Sequence, residues 1–331
     1  MAQADTRTLT AGADALVGTD ADEIFIGNAV TNTVNGNLQD TFQSVDSLQG
    51  GAGEDTLRVQ VGSTGTAVNI GANVSNVENL EVTSFTDADT INLSNFDSIE
   101  SVYTVNSVGN LRLENIGNIA DATVKNTNSD LSVGFTDTAI SGTNDEMTLT
   151  LDGATGDDQA VAIASNTTGT VETLNVVSVG QANGVTIGGT TPGNPTNDAT
   201  VGTKTLNISG DQNVSLDMDA NTGLTTVNAS QSTGDVSVDL TNVAAQDMTV
   251  TGGAGNDGFT VTGVDEDDSF DLGAGVDNLT IVASGNISTE VDFTNIESMA
   301  FSDSINDTLD AYDIRLSGGD SLSVINLGVN D

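Results

Sequence analysis

A phrase of loop and strand occurs twice in the sequence, twenty residues apart, between positions 252 and 281. In each copy a Gly-Ala-Gly turn is followed by an aspartate and then by a short strand in which apolar and polar residues alternate. Such a strand buries only one of its faces. A unit that repeats at a fixed period buries that face by stacking on its neighbour. The repeat therefore predicts an all-β parallel solenoid with coils of about twenty residues.

Asp257 and Asp277 hold the same place in the two copies. We expect them to lie one above the other at the same corner of successive coils. Carboxylates that are roughly 5 Å apart, the distance between strands, repel each other. The chain has only six lysines and arginines against 48 acidic residues, so side-chain cations are scarce. A metal ion is the leading candidate for the counter-charge.

The residues around these aspartates resemble the calcium-binding nonapeptide of the repeats-in-toxin (RTX) family, Gly-Gly-x-Gly-x-Asp-x-apolar-x. Residues 252–260 and 50–58 match it throughout, residues 272–280 lack only the first glycine, and residues 17–27 carry a degenerate version. The resemblance implies a parallel β-roll in which loop glycines and aspartates hold calcium between coils. Calcium takes about six to eight oxygen ligands, which glycine-turn carbonyls and aspartates can supply.

The candidate ligands belong to these loops and to two further acidic segments. The segment 151–158 resembles the nonapeptide with its first glycine displaced, and the adjacent acids 265–268 are costly unless they are solvated or metal-bound. The alternative is that the acids cap strands at turns or form a solvated surface of the halophilic kind. We predict several calcium ions, bound by Gly18, Asp20, Asp22, Gly51, Gly53, Asp55, Asp152, Asp157, Asp158, Gly253, Gly255, Asp257, Asp265, Asp267, Asp268, Gly273, Gly275 and Asp277.

The nonapeptides are isolated rather than tandem, and this spacing is similar to that of calcium-dependent surface-layer proteins and related secreted matrix proteins of bacteria. A second phrase, an apolar residue followed by Glu, a small polar residue and an apolar strand, supports the comparison; it begins at Val77, Ile99, Val171 and Ile296. The resemblance implies an extracellular or cell-surface location reached by type I secretion, with an uncleaved C-terminal signal. It also implies cell-surface polysaccharide as a further partner.

The formal net charge of −42 sets the conditions for folding. Repulsion at that charge opposes compaction until cations neutralise it. With 36% hydrophobic residues the chain is not a disordered acidic tail, and we expect it to be poorly ordered without calcium and folded with it. No basic patch is present to meet phosphates, so nucleic acid is not an expected partner.

Missing residue types exclude several kinds of site. The sequence contains neither cysteine nor histidine, which rules out disulfides, thiolate metal sites, the common zinc ligand sets and Ser-His triads. The first residues lack the apolar segment of a signal peptide, and we expect none that is cleaved. No run of eighteen apolar residues occurs, so membrane insertion is not expected.

The distribution of loops and strands predicts four regions. Residues 1–62 form an N-terminal calcium-binding region and residues 63–187 a solenoid scaffold. Residues 188–199, which contain both prolines, form a loop or boundary, and residues 200–331 form a C-terminal solenoid with RTX-like loops. A β-sandwich arrangement of residues 60–200 is the alternative to a solenoid there.

Three functions were weighed against these features. The chain has no tryptophan and only two tyrosines to stack on sugars, so we expect it not to be an enzyme. Open strand edges and acidic loops can join protomers. The sequence predicts a structural protein of a surface layer, fibre or biofilm matrix, folded and cross-linked by calcium, that assembles with itself. A calcium-rigidified adhesin module and a polysaccharide-active enzyme are the alternatives.

Overall fold

The structure is a computed structural model, and it describes most of the chain. The described residues are 5–156, 159–165, 169–188, 197–219, 221–243, 247–264, 267–282, 291–301, 314–317 and 324–326. The predicted ligands Asp157, Asp158 and Asp265 lie outside these residues.

The described secondary structure is β-strand except for one 3-10 turn, η1 (Ala199–Gly202). The first strands are β1 (Asp5–Thr8), β2 (Ala15–Val17), β3 (Glu23–Gly27), β4 (Val30–Thr31), β5 (Leu38–Gln39), β6 (Ser47–Gln49), β7 (Thr56–Val61), β8 (Asn69–Ile70), β9 (Asn73–Ser75), β10 (Asn79–Ser84) and β11 (Asp89–Asn92). Next come β12 (Ser101–Val105), β13 (Leu111–Ile116), β14 (Asp121–Thr127), β15 (Leu131–Phe135), β16 (Glu146–Ala154), β17 (Ala160–Ser165), β18 (Thr173–Val179), β19 (Asn183–Ile187) and β20 (Asn197–Asp198). The last are β21 (Thr205–Gly210), β22 (Val214–Met218), β23 (Thr226–Ser232), β24 (Val236–Leu240), β25 (Thr249–Thr251), β26 (Gly258–Val261), β27 (Ser269–Asp271), β28 (Asn278–Ile281), β29 (Val291–Thr294), β30 (Ser298–Phe301), β31 (Ile314–Ser317) and β32 (Val324–Asn326).

The strands stack into a parallel β-solenoid of about ten turns, with coils of roughly 23 residues. The first sheet has fourteen strands in the order β1-β3-β7-β10-β12-β14-β16-β18-β21-β23-β25-β27-β29-β31. The second sheet has thirteen, in the order β8-β11-β13-β15-β17-β19-β22-β24-β26-β28-β30-β32, with β20 paired antiparallel to β17. A short third sheet, β2-β6-β9, and the hairpin β4-β5 accompany the first coils.

The all-β solenoid predicted from the repeat is confirmed. Val250 pairs with Phe270 and Phe259 with Leu279, so the two copies of the phrase stack in register. The sandwich alternative for residues 60–200 is wrong, because the strands β7 to β18 of the first sheet pair in parallel, coil upon coil. The ladders also continue past residues 188–199, since β18 pairs with β21 and β19 with β22.

Strict alternation of apolar and polar residues places the core between the sheets. In β7, Leu57, Val59 and Val61 point inward and are fully buried or nearly so, whereas Arg58 points outward. The buried residues align with those of the next coils into columns, because parallel strands in register superimpose equivalent positions. Each apolar side chain of this size contributes about 1.5–3 kcal/mol when it is removed from water.

In the coil that follows β3, residues 40–46 take the place of a strand of the second sheet. Phe42 is fully buried, and its Cβ lies 3.1 Å from where a Cβ on Gly27 would be. Asp40 anchors the segment, because its carboxylate accepts hydrogen bonds from the N–H groups of Gly62 and Ser63 at 3.0 and 3.1 Å. The segment therefore covers apolar surface that the first coil would otherwise expose.

We expect the core columns to carry most of the stability near the C-terminal loops. Phe270 is 1% exposed and stacks on Phe293 with ring centroids 5.7 Å apart. Phe270→Ala should reduce the free energy of unfolding in calcium by about 3–5 kcal/mol. Phe85→Ala, at a side chain that is 40% exposed, should change it by about 0.5 kcal/mol or less. Urea unfolding followed by circular dichroism measures both, and equal losses would contradict this placement of the core.

Candidate metal centre

The glycine loops stack in two pairs, at different corners of the solenoid. The loops 18–22 and 50–54 lie before strands β3 and β7 of the first sheet, and the Ala52 N–H donates to the Thr19 carbonyl at 3.0 Å. The loops 252–256 and 272–276 lie before β26 and β28 of the second sheet, and the Ala274 N–H donates to the Gly253 carbonyl at 3.0 Å. Glycine loops of successive coils therefore lie backbone against backbone.

Glycine at the start of a loop makes room for oxygen atoms. A Cβ on Gly50 would overlap the Asn76 carbonyl oxygen and Oδ2 of Asp55, and one on Gly252 would overlap the Leu272 carbonyl oxygen. In the N-terminal loop the backbone also turns through positive φ at residues 51 and 53 (φ +120° and +115°), which side chains disfavour. The glycines thus bring a carboxylate and a carbonyl of the next coil close together.

Three acids form a column beside the N-terminal loops. Glu23, Asp55 and Glu78, here called the N-terminal acid column, hold equivalent positions in three successive coils. Each carboxylate accepts a backbone N–H from the coil below or from its own loop: Oε2 of Glu23 from Thr19 at 2.7 Å, Oδ1 of Asp55 from Glu23 at 2.7 Å, and Oε2 of Glu78 from Asp55 at 2.8 Å. The acids therefore link coil to coil.

A second column has the same construction beside the C-terminal loops. Asp257, Asp277 and Glu297 form this C-terminal acid column on the second sheet. Oδ1 of Asp257 accepts the Val236 N–H at 2.8 Å, Oδ1 of Asp277 accepts the Asp257 N–H at 2.7 Å, and Oε2 of Glu297 accepts the Asp277 N–H at 2.7 Å. Asp257 and Asp277 thus lie one above the other at the same corner, as the twenty-residue repeat indicates.

One oxygen in each column has no hydrogen-bond donor. Asp55 is fully buried and Asp277 is 1% exposed, and Oδ2 of each is buried without a hydrogen-bond partner. By contrast, Oδ2 of Asp257 accepts the Gly253 N–H at 2.6 Å, so both of its oxygens are engaged. A buried charged oxygen without a donor is costly. Of the three aspartates in the columns, Asp55 and Asp277 therefore each have a buried oxygen that a cation could contact.

Burial changes the pKa values of the carboxyl groups in the two columns. It raises the pKa of Asp55 and Asp257, and it raises the pKa of Asp277 from 3.8 to about 6. Hydrogen bonds from the side chain and backbone of Thr19 have the opposite effect on Glu23 and lower its pKa. The buried aspartates thus hold a proton more readily than an exposed aspartate does.

The basic residues of the described chain are occupied elsewhere. Five of the six lysines and arginines have described side chains, and each forms an ion pair with an acid outside the two columns. The pairs are Arg7–Asp5, Arg58–Glu81, Arg112–Glu114, Lys125–Asp152 and Lys204–Glu172. No described lysine or arginine therefore forms an ion pair with a column acid.

The donor chemistry of the N-terminal site fits calcium. Among the described residues, no three acidic side chains converge as a metal-binding group. A cation at Oδ2 of Asp55 would therefore depend on backbone carbonyls such as that of Asn76 as well as on the carboxylate. Hard cations that accept mixed carboxylate and carbonyl oxygens, calcium above all, suit such a set.

The other predicted ligands lie in more varied surroundings. Asp20 and Asp22 are exposed, and Oδ1 of Asp22 accepts the Glu54 N–H at 3.0 Å. Oδ2 of Asp152 lies 2.7 Å from Nζ of Lys125. Asp267 is exposed, whereas Asp268 is buried and accepts the Met248 N–H at 2.7 Å, at the corner opposite the C-terminal glycine loops. The glycines at positions 18, 51, 53, 253, 255, 273 and 275 lie in the stacked loops.

Sequence reasoning missed the glutamates of both columns. The phrase of an apolar residue followed by Glu pointed to Glu78 and Glu297, but it gave them no role. In register, each lies in the coil that follows a glycine loop and takes the position of the aspartate. Glu23 sits one coil before Asp55 at that same position. The sequence therefore contained these glutamates in a recognisable phrase, but the position that they share with the aspartates is visible only when coils of unequal length are aligned.

Comparison of the chain with protein-family models, curated proteins and solved structures found no match. Within the described part of the chain, no helix is both long and apolar enough to cross a membrane.

We expect Asp277→Asn to have opposite effects with and without calcium. Without calcium the amide keeps an oxygen for the Asp257 N–H but removes a buried charge, so the free energy of unfolding should rise by about 1–3 kcal/mol. With saturating calcium the variant should be less stable than the wild type, because a charged ligand is gone. Thermal unfolding in EDTA and in calcium measures both signs. Asp87→Asn, at an exposed acid, removes the same charge and should show neither effect; a variant that loses stability in both conditions would contradict the metal site.

The metal-free protein should gain stability as the pH falls from 7 to 5. Where burial raises a pKa, the folded state binds the proton more tightly than the unfolded state does. At Asp277 the resulting stabilisation of the folded state is complete below pH 3.8 and is lost as the pH rises through about 6. Glu23, with a lowered pKa, acts in the opposite direction but is a single group. Urea midpoints in EDTA at the two pH values test this, and a lower midpoint at pH 5 would contradict it. The acids with raised pKa are Asp46, Asp55, Asp217, Asp257 and Asp277.

Proposed function

We propose that the protein is an extracellular structural protein that calcium folds and that then assembles with itself into a surface layer, fibre or biofilm matrix. The observation that carries the proposal is the pair of buried oxygens, on Asp55 and Asp277, that have no donor. They belong to a chain of net charge −42 whose described basic residues form ion pairs elsewhere. A divalent cation would supply positive charge to these two oxygens and would also reduce the negative charge of the whole chain.

Calcium acts first on folding in this proposal. Stacking the coils brings carboxylates of successive coils into register, at roughly the 5 Å spacing of strands. Their repulsion opposes stacking until a cation binds between them. Each calcium ion removes two charges, so on the order of ten ions would leave about half of the net charge.

Calcium also sets the place where folding occurs. Extracellular calcium modules commonly bind the ion with dissociation constants of about 10⁻⁴–10⁻³ M. A chain with sites in this range stays poorly ordered where calcium is scarce and folds where it is abundant. This behaviour suits a protein that is exported unfolded by type I secretion and becomes rigid outside the cell.

The second sheet supplies the observation closest to the enzyme alternative. A cavity of about 380 Å³ is lined by Asn183, Thr186, Ser215 and Asp217 among others. Burial, followed by the charges of Asp239 and Asp219, raises the pKa of Asp217. No described aromatic side chain lines this cavity to stack on a sugar ring, and this favours the structural proposal over a polysaccharide-active enzyme.

A calcium titration of EDTA-stripped protein tests the proposal, with circular dichroism for folding and light scattering for assembly. We expect the β signal to rise first and large particles to appear at higher calcium, because folding creates the surfaces that associate. Magnesium is the control and should act weakly, since it favours rigid octahedral sites. Folding without particles would leave the adhesin module as the better function. No response in either measurement would overturn the role of calcium.

A further inference from the structure

The outward face of the first sheet carries two polar ladders over strands β18, β21, β23 and β25. In each strand the motif Thr-x-Asn, or Thr-x-Thr in β25, points its first and third residues outward, and the parallel pairing places them in register. One ladder is Thr173, Thr205, Thr226 and Thr249, and the other is Asn175, Asn207, Asn228 and Thr251. The coils that contribute them differ in length, so the regularity exists only in the folded solenoid.

The amide ladder is ordered by its own hydrogen bonds. Nδ2 of Asn207 donates to Oδ1 of Asn175 at 2.8 Å, and Nδ2 of Asn175 donates to Oε1 of Glu146 at 2.6 Å. Oδ1 of Asn228 accepts the Ser230 N–H at 3.1 Å. Side chains that are already fixed lose little conformational entropy when a partner covers them.

The face is uncharged in a strongly acidic protein. Strands β18 to β25 present no acidic or basic side chain among their outward residues on this sheet. Charges resume on both sides of these strands, with Glu146, Lys125 and Asp152 on one side and Asp271 on the other. The ion pair of Glu172 with Lys204 lies just before β18 and β21, at the start of the ladders. The second sheet presents Asp217 and Asp239 at comparable coils. The ladders thus form a neutral window on a molecule of net charge −42.

We propose that this window is the surface through which a second copy of the chain docks, face to face, which rests on the self-assembly proposed above. Like charges placed opposite each other oppose association, so two copies approach most closely where neither bears charge. An identical face has the same strand spacing of about 4.8 Å along the ladder, which lets the two sets of side chains interdigitate. The contact is isologous, with the same patch on both molecules.

The edge of the second sheet near the N-terminus is already covered by the chain itself. Phe42 and the segment 40–46 cover the first coil where the second sheet would otherwise present an edge. On the sides of the solenoid, the ladders form an uncharged stretch of four neighbouring strands, and the outward residues of β26, β28 and β30 form a shorter one on the second sheet.

A single contact through the window covers a small area. Four strands, with two or three outward residues each, cover roughly 300–400 Å² per molecule, whereas stable pairs bury about 800 Å² per partner. One contact is therefore weak, and because an isologous patch joins only two molecules, growth into particles also uses a second contact elsewhere on each molecule. The ladders come into register only when the coils are stacked, so calcium that stabilises the stack also creates the window.

A charge placed in the window tests the inference. Thr226→Asp puts a carboxylate between Thr205 and Thr249 of the ladder, and Thr280→Asp puts one on the outward face of the second sheet, between Thr260 and Ala300. Both variants should show the calcium-induced β signal of the wild type. The rate of particle growth in calcium should fall about tenfold or more for Thr226→Asp and change little for Thr280→Asp. Co-sedimentation of each protein with insoluble cellulose provides a second measurement, which reports binding to a polysaccharide.

The outcomes separate this inference from the proposed function. Equal assembly by both variants would overturn the window as the contact while leaving calcium-dependent assembly intact. Assembly of Thr226→Asp at the wild-type rate, with loss of binding to cellulose that the wild type shows, would make the window a polysaccharide site and overturn the inference. A wild-type protein that folds in calcium without forming particles would instead contradict the proposed self-assembly. If Thr226→Asp does not gain the β signal in calcium, it has not folded. Thr226→Asn, a neutral change at the same position, should then fold and assemble.

Discussion

The structure depends on one electrostatic conflict: parallel stacking in register places like charges above one another. In each acid column the conflict is partly resolved by backbone N–H groups, because each carboxylate accepts from the coil below or from its own loop. The donors do not suffice for every oxygen, since Oδ2 of Asp55 and Oδ2 of Asp277 have none. The same carboxylates that hold the coils together therefore limit how well the coils stack until a cation joins them.

Acidic residues outside the columns show how differently one residue type is used along this chain. Asp40 holds the segment that closes the first coil, through two backbone N–H groups. Asp152 pairs with one of the few lysines. Asp89 is fully buried and accepts hydrogen bonds from Val68 N–H and the Ser84 hydroxyl. Acid content alone does not distinguish these acids from one another, whereas a buried oxygen without a donor sets Asp55 and Asp277 apart from them.

Much of the fold could be predicted from the sequence, and the site only in part. Alternating strands and the twenty-residue repeat sufficed for the solenoid and for the stacking of Asp257 on Asp277. The column glutamates and the threonine and asparagine ladders could not be predicted, because coils of different lengths separate their members: Asp55 and Glu78 are 23 residues apart, and Asn175 and Asn207 are 32 apart. The position of a residue in its coil, rather than its distance along the chain, decides its neighbours.

The glycine loops lie at opposite corners of the solenoid, before the first sheet near the N-terminus and before the second sheet near residue 270. In a stack where each coil touches only its neighbours, stability is a sum of local couplings. In the function proposed above, two segments whose coupling would vary with calcium enclose scaffold coils that are held mainly by apolar columns. The calcium concentration would then adjust the rigidity of the outer segments separately from that of the middle, so that a single chain would combine a rod of constant rigidity with two ends of adjustable rigidity.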